Sequence, residues 1–202
     1  MFTGIIQESG ILSDVNLSSN LYTIKTKLDL GRTLLGASIS CDGVCLTAIN
    51  IKFENSFYFF DVNIGEETIN RSTLSDWVIG SNINLEKSLK VGDEISGHFV
   101  YGHVDTVINI IDIKKNINSW DFVFSLSSLN NQPQLKRLLA KKGSVSINGI
   151  SLTVANIYAD SFSVSIIPYT FDKTNLSYLK PNGKVNLEFD TFARYISRLY
   201  EK

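Results

Sequence analysis

Cysteine, histidine, proline and methionine are all scarce in this chain of 202 residues, which has two, two, three and one of them respectively. The cysteines, Cys41 and Cys45, flank a tight-turn sequence. Such close spacing is a poor disulfide frame, and no second pair stands elsewhere to complete a metal site. The pattern points to free thiols in a reducing, cytoplasmic compartment. Charge of one sign is lacking as well. The formal net charge is −1, without a long acidic or basic run. That argues against nucleic-acid and membrane-surface partners, which usually need a basic face. No apolar stretch approaches the roughly 20 residues that span a bilayer. Met1 to Gly10 has no basic segment, and Glu8 interrupts its short apolar start, so no signal peptide is expected. Nothing is low in complexity or linker-like.

What the chain does have is a packable composition, 44% hydrophobic and 11% aromatic, enough for one large or two small domains. It also has a stretch that occurs twice. Gly36 to Thr47 reads GASISCDGVCLT, and Lys142 to Thr153 reads KGSVSINGISLT. Laid on one another, Ser38 meets Ser144, Ser40 meets Ser146, Gly43 meets Gly149, Cys45 meets Ser151 and Thr47 meets Thr153. Each copy reads as strand, two-residue turn, strand. Asp-Gly and Asn-Gly accept positive φ at both centres of a type I′ hairpin turn. A single repeat of such length predicts two similar domains, not a solenoid.

The rest of the chain is strand-like. Residues 1–12 read as a strand bent at Gly4 and Gly10. Leu21 to Leu28, Phe57 to Val62, Ser81 to Leu85 and Trp120 to Leu126 are further strands rich in β-branched and aromatic residues. Glu66 to Leu74 is polar and suits a short helix or loop. Gly97 to Asp105, GHFVYGHVD, restarts the pattern of the opening FTGIIQE. Phe57 to Val62 is echoed by Phe162 to Ile167, Ser72 to Leu74 by Thr174 to Leu176, and Gly80 to Glu86 by Gly183 to Glu188. Asn131 to Lys141 carries Leu135, Leu138 and Leu139 at helical spacing. Many short strands in each half, six or so by length, predict two tandem antiparallel barrels or sandwiches, of which a closed barrel leaves no edge exposed. The boundaries expected are 1–95, 96–190 and a C-terminal helix over 191–202. In that helix Phe192, Tyr195, Ile196 and Leu199 form one apolar stripe, which needs a partner because so short a helix is marginal alone.

Few residues stand out for chemistry. His98 and His103 share one stretch, but five residues apart on a strand they face opposite sides, and they make no metal pair. Each is accounted for equally well as a surface or hydrogen-bonded histidine; the glycine before His103 marks it for close backbone approach. Cys45 and Ser151 are either small residues that let a strand pack or the lining of two equivalent pockets, with Thr47 and Thr153 adding hydroxyls on the same face. Asp61 and Asp190 end apolar strands, as turn-capping carboxylates also do. A duplicated pattern of this kind implies two similar sites for similar ligands, and spacing alone names no reaction.

MFTGII, GVCLT at Gly43 to Thr47, GHFVYGHVD, NGISLTV at Asn148 to Val154, IIPYTF at Ile166 to Phe171 and KVNLEFD at Lys184 to Asp190 together resemble the riboflavin synthase family, alpha-chain type, over essentially the whole chain. The resemblance implies two Greek-key barrels, and a homotrimer held largely by the C-terminal helix. It implies a dismutation of two 6,7-dimethyl-8-ribityllumazine molecules to riboflavin and 5-amino-6-(D-ribitylamino)uracil, the final step of riboflavin biosynthesis. No cofactor or metal is implied, and the site lies between the N-barrel of one subunit and the C-barrel of another. Association with lumazine synthase is left open.

By the same resemblance His103, Cys45, Ser38, Ser151 and Asp190 are assigned to catalysis. Substrate contacts are expected from Gly4, Ile5 and Ile6, from Cys45, Leu46 and Thr47, and from Asp61, Val62, Asn63, Glu67 and Thr68. Further contacts are expected from Gly102, His103 and Val104, from Lys142, from Ser151, Leu152 and Thr153, and from Ser165, Ile166, Ile167, Pro168, Tyr169 and Thr170. One departure stands out. Where the family reads like DVMPET, this chain runs Asp61 to Thr68 as DVNIGEET, which reads as loss of the Met-Pro pair and a loop about two residues longer. The competing expectation is a non-catalytic lumazine- or flavin-binding antenna protein of the same fold. Retention of His103, Ser151 and Thr153 weighs against it.

Overall fold

The computed structural model describes residues 1–200. Its first half holds β1 (Glu8–Asn16), β2 (Leu21–Thr26), β3 (Ser38–Cys41), β4 (Val44–Glu54), β5 (Phe57–Asn63), α1 (Glu66–Arg71) and β6 (Asn82–Lys87). The second half repeats this with β7 (Thr106–Lys115), β8 (Trp120–Ser125), a short α2 (Pro133–Lys136), β9 (Ser144–Ile147), β10 (Ile150–Ile157), β11 (Ser161–Ile166), α3 (Pro168–Lys173) and β12 (Lys184–Phe189), and ends in α4 (Thr191–Tyr200). Both sets close into six-stranded barrels, in the order β1-β2-β5-β4-β3-β6 and the matching order β7-β8-β11-β10-β9-β12. Every strand pair is antiparallel. No helix among the described residues is long and apolar enough to cross a membrane. The last two residues of the helix expected over 191–202 lie outside the described residues.

Alternation in each strand decides what lies inside. In β4, Val44, Leu46 and Ala48 are buried, while Cys45 is half-buried and Thr47 exposed. The two cores are separate. One is built around Leu12, Ile24, Ile39, Phe60 and Leu85, the other around Phe122, Phe124, Ile147, Phe162 and Leu187. Each fully buried side chain of this size contributes about 1.5–3 kcal/mol. Cys41 belongs to the first core, and burial pushes its thiol well above the usual value.

Three local expectations are corrected. The first seven residues are not strand. β1 begins at Glu8, and the segment before it crosses to the second barrel, with Phe2 bridged to Val100. The helix expected over Asn131 to Lys141 shrinks to the single turn of α2. Beyond Lys136 the chain tightens into i to i+3 hydrogen bonds, Leu138 N–H to Leu135 and Leu139 N–H to Lys136, which bring Leu138 and Leu139 into the core. Apolar spacing over so few residues fits a turn as well as a helix. Finally, the match of Phe57 to Val62 with Phe162 to Ile167 is out of register. Val62 pairs with Ala48 as Val164 pairs with Val154, and α1 opens at Glu66 as α3 opens at Pro168. Phe60, not Phe57, therefore matches Phe162, Asp61 matches Ser163, and Asn63 matches Ser165.

The halves meet through their duplicated hairpins. Asp42 and Gly43 have φ of 49° and 78°, Asn148 and Gly149 of 46° and 78°, the type I′ geometry that the dipeptides predict. The two turns lie back to back. A Cβ on Gly43 would stand 2.6 Å from the Gly149 nitrogen, and one on Gly149 would stand 2.8 Å from the Gly43 nitrogen. Around this contact runs a buried polar network. Asp42 accepts from Asn84 N–H at 2.8 Å, Asn175 Nδ2 at 2.9 Å and Trp77 Nε1 at 3.3 Å. Asn84 donates to the Asn148 carbonyl, and Asn186 to the Asp42 carbonyl. Burial outweighs these donors and raises the Asp42 carboxyl from its usual 3.8 to about 7.

Two outcomes are expected. Gly43→Ala should cost about 2–4 kcal/mol or more by denaturant unfolding, well beyond Gly36→Ala, which has φ of +86° but open space around it. Equal costs would remove the turn-to-turn contact as the constraint. Because the folded Asp42 holds its proton when the unfolded chain has lost it, stability should fall as pH rises from 3.8 to about 7, by on the order of 4 kcal/mol. Asp42→Asn should flatten that slope in urea midpoints taken across this range.

Candidate active site

The segments that precede the two barrels, residues 1–7 and 98–105, carry the site. Each lies along the seam and is gripped from both sides. In the first, Glu86 accepts from Thr3 N–H at 2.7 Å, the Thr3 hydroxyl at 2.8 Å and Gly4 N–H at 3.0 Å. In the second, Glu188 accepts from the N–H groups of Tyr101, Gly102 and His103 at 2.7, 2.8 and 3.0 Å. Burial raises both carboxyls, and the backbone donors pull them back down. Opposite each glutamate stands the other barrel. Ser151 N–H donates to the Gly4 carbonyl at 2.8 Å, and Cys45 N–H to the Gly102 carbonyl at 2.9 Å. Gly4 and Gly102 have φ of 76° and 75°. A Cβ on either would lie 2.6 Å from the Ser151 or Cys45 Cβ, so only glycine allows this approach.

Each half of the seam therefore combines the polar outer face of one hairpin with the leading segment of the other half. In the first, Val44, Cys45, Glu67, Thr68, Arg71, Gly102, His103 and Val104 line a cleft of about 220 Å³. Its second-half counterpart is built around Ser151, Gly4 and Ile5. His98 stands there too, with Nδ1 2.7 Å from the Ser151 hydroxyl. Burial holds the His98 imidazole below its usual value, and the Asp190 carboxylate pulls it the other way. The two histidines thus serve different halves of the seam, His103 facing Cys45 and His98 facing Ser151. Sequence spacing alone gave His98 no role, because its partner lies in a strand far along the chain.

The expected residues are spread over several parts of the fold. Cys45, Glu67, Thr68, Gly102, His103 and Val104 come together in the cleft, and Gly4, Ile5 and Ser151 come together in its counterpart, with Thr47 and Thr153 exposed further along the same strand faces. Leu46, Val62, Leu152 and Ile166 turn their side chains into the cores, so a ligand would meet only their backbone. Ile6 packs on the second core. Asn63, Ser165, Ile167, Pro168 and Tyr169 form the exposed strand ends and helix starts beside the sites, and Thr170 follows half-buried. Lys142 is exposed, in a left-handed turn whose N–H donates to Val154. Three expected residues lie apart from the cleft. Ser38 pairs with Thr47 and accepts from Ser88 at 2.6 Å. Asp61 accepts from Thr23 at 2.7 Å and Asn50 at 3.1 Å on the barrel exterior. Asp190 caps α4 through Phe192 N–H at 2.9 Å.

The model of the lumazine binding domain family matches residues 3–88 and again 101–190. The riboflavin synthase of Brucella abortus is 40% identical over the whole of both chains. That of Chlamydia trachomatis is 38% identical over 96% of this chain and 92% of its own. The chain belongs to the riboflavin synthase family of lumazine-binding enzymes. In this family's fold the crystal structure of LumP complexed with riboflavin is similar, with a TM-score of 0.77 over 94% of this chain and 99% of that one, at 21% identity.

Only two histidines occur in the chain, so each gives a separate resonance in a labelled protein. Asp190→Asn should lower the His98 titration midpoint further, since the carboxylate that supports the imidazolium is gone. An unmoved midpoint would place Asp190 out of electrostatic reach.

Proposed function

We propose that this chain is a riboflavin synthase: it dismutates two molecules of 6,7-dimethyl-8-ribityllumazine, moving a four-carbon unit from one to the other. The observation that carries this is the doubled seam, with Cys45 against Gly102 in one half and Ser151 against Gly4 in the other, in a chain of this family. Two like pockets suit a reaction whose two substrates are the same molecule. The products, riboflavin and 5-amino-6-(D-ribitylamino)uracil, together contain the atoms of the two substrates, so no oxidant or reductant is required.

One lumazine loses a proton from its C7 methyl, whose anion the ring delocalises; the other is attacked at C7. Holding the rings in register supplies several kcal/mol of the barrier by orientation. His103 is exposed at the cleft edge and moves protons there, as an imidazole can near neutral pH. Cys45 and Thr47 face one ring, while Ser151 and Thr153 face the other. The hydrogen bond between Ser151 and His98 orients that hydroxyl, and Asp190 acts through His98. Ser38 and Asp61, away from the cleft, take part only when a ligand extends along the outer strand faces.

The active assembly is a cytoplasmic homotrimer, with a site shared by the N-barrel of one subunit and the C-barrel of the next. Its support is α4, which leaves Tyr195, Ile196 and Leu199 exposed at 68%, 56% and 83%. Such a stripe calls for an apolar partner.

Incubation with the lumazine alone should yield riboflavin at half the molar amount consumed. His103→Ala should lower kcat about 10²-fold or more, and Cys45→Ser about tenfold. Tight binding of the lumazine without turnover would overturn the proposal in favour of a binding protein of the same fold.

A further inference from the structure

We infer that Arg194, on the C-terminal helix, is a positioning residue for His103. This rests on the riboflavin synthase reading above. The His103 ring is exposed, its nearest aromatic neighbour is Tyr101 at 6.0 Å between centroids, and among the described residues no side-chain hydrogen bond orients it. Its orientation therefore depends on how firmly the backbone on each side is held. On the N-terminal side the hold is Glu188. On the C-terminal side it is Asp105, whose N–H donates to the Leu187 carbonyl at 2.8 Å and whose Oδ2 accepts from Phe189 N–H at 2.9 Å.

Asp105 is itself held by Arg194. One guanidinium nitrogen donates to both carboxylate oxygens, at 2.8 and 2.9 Å. The carboxylate side chain is only 9% exposed and the arginine 44%, so this pair is less screened than a surface bridge. It also lies beside a second acid: burial raises the Glu188 carboxyl, and the Asp105 charge adds a smaller push in the same direction. Two carboxylates thus bracket the short stretch from Tyr101 to Asp105, and Arg194 is the cation paired with the second of them. The helix touches the same segment again through Phe192, whose ring meets Phe99 edge-on at 5.8 Å.

The first half supplies the comparison. Gln7 stands where Asp105 stands and makes the equivalent bond, accepting from Lys87 N–H at 2.9 Å. There a neutral amide suffices. The corresponding segment carries Ile5 in the place of His103. The charge pair is added only to the segment that presents His103.

The test uses the full chain with Arg194→Ala and Arg194→Lys. Arg194→Ala should lower kcat about tenfold while KM for the lumazine stays within about twofold, the signature of a misplaced group in a site that still binds. Arg194→Lys should recover most of the rate, since it keeps the cation but not the planar fork. Sedimentation at the assay concentration should show an unchanged association state. In histidine-labelled protein the His103 resonance should move in Arg194→Ala and the His98 resonance should not. An unchanged kcat, or a loss that follows disassembly, would overturn the inference. If the unaltered protein makes no riboflavin, the functional reading fails, and the spectra still decide: an unmoved His103 signal removes the positioning role.

Discussion

The back-to-back contact of two hairpin turns sets the geometry of everything else. Gly43 and Gly149 approach so closely that neither tolerates a Cβ, and the buried aspartate and asparagines around them pair with one another and with backbone, as buried polar groups must. That requirement fixes Asn84, Asn175 and Asn186 as well as the turns. With the turns pinned, each outgoing hairpin strand is presented to the opposite half, and Cys45 and Ser151 follow as neighbours of Gly102 and Gly4.

The site is consequently a property of the seam, not of either barrel. A barrel closed on itself has no free edge and no cavity once its core is filled. What it offers is an outer face, and only a chain segment from outside can turn that face into a cleft. Glu86 and Glu188 make this possible by collecting backbone N–H groups that irregular segments would otherwise leave unpaired. Their carboxyls lie at the boundary between burial and hydrogen bonding, and every donor they accept is one fewer orphan in the segments that hold His103 and Ile5.

The architecture was legible from the duplication and the turn dipeptides, because type I′ turns and strand alternation are local properties. Register was less so. Phe57 was the apparent match for Phe162, and only the pairing of Val62 with Ala48 shows that Phe60 is. The site was half legible: Cys45, Ser151 and His103 stand out by repetition and by neighbouring glycine. His98, Glu86 and Glu188 do not, since each acts on a partner distant in sequence. Arg194 reads as a polar position on an amphipathic helix until Asp105 is seen beside it.

Duplication creates two equal sites, whereas a dismutation of the kind proposed needs a donor and an acceptor that behave differently. The halves differ where that demand would fall. A thiol at Cys45 is answered by a hydroxyl at Ser151, and an imidazole at His103 by an alkyl group at Ile5. A charged pair, Glu67 with Arg71 at 2.9 Å, lines the first cleft, where Tyr169 and Lys173 hold the matching places in the second half. The shared elements are those that hold backbone, namely the two glutamates, the glycines and the serine or threonine that caps each 3-10 turn. Constraint on the scaffold is therefore much the same in both halves, with Asp105 and Arg194 against Gln7 as the exception, and most of the divergence falls on groups that would face a ligand. That partition is what a duplicated binding fold requires if identical molecules are to meet unequal surroundings.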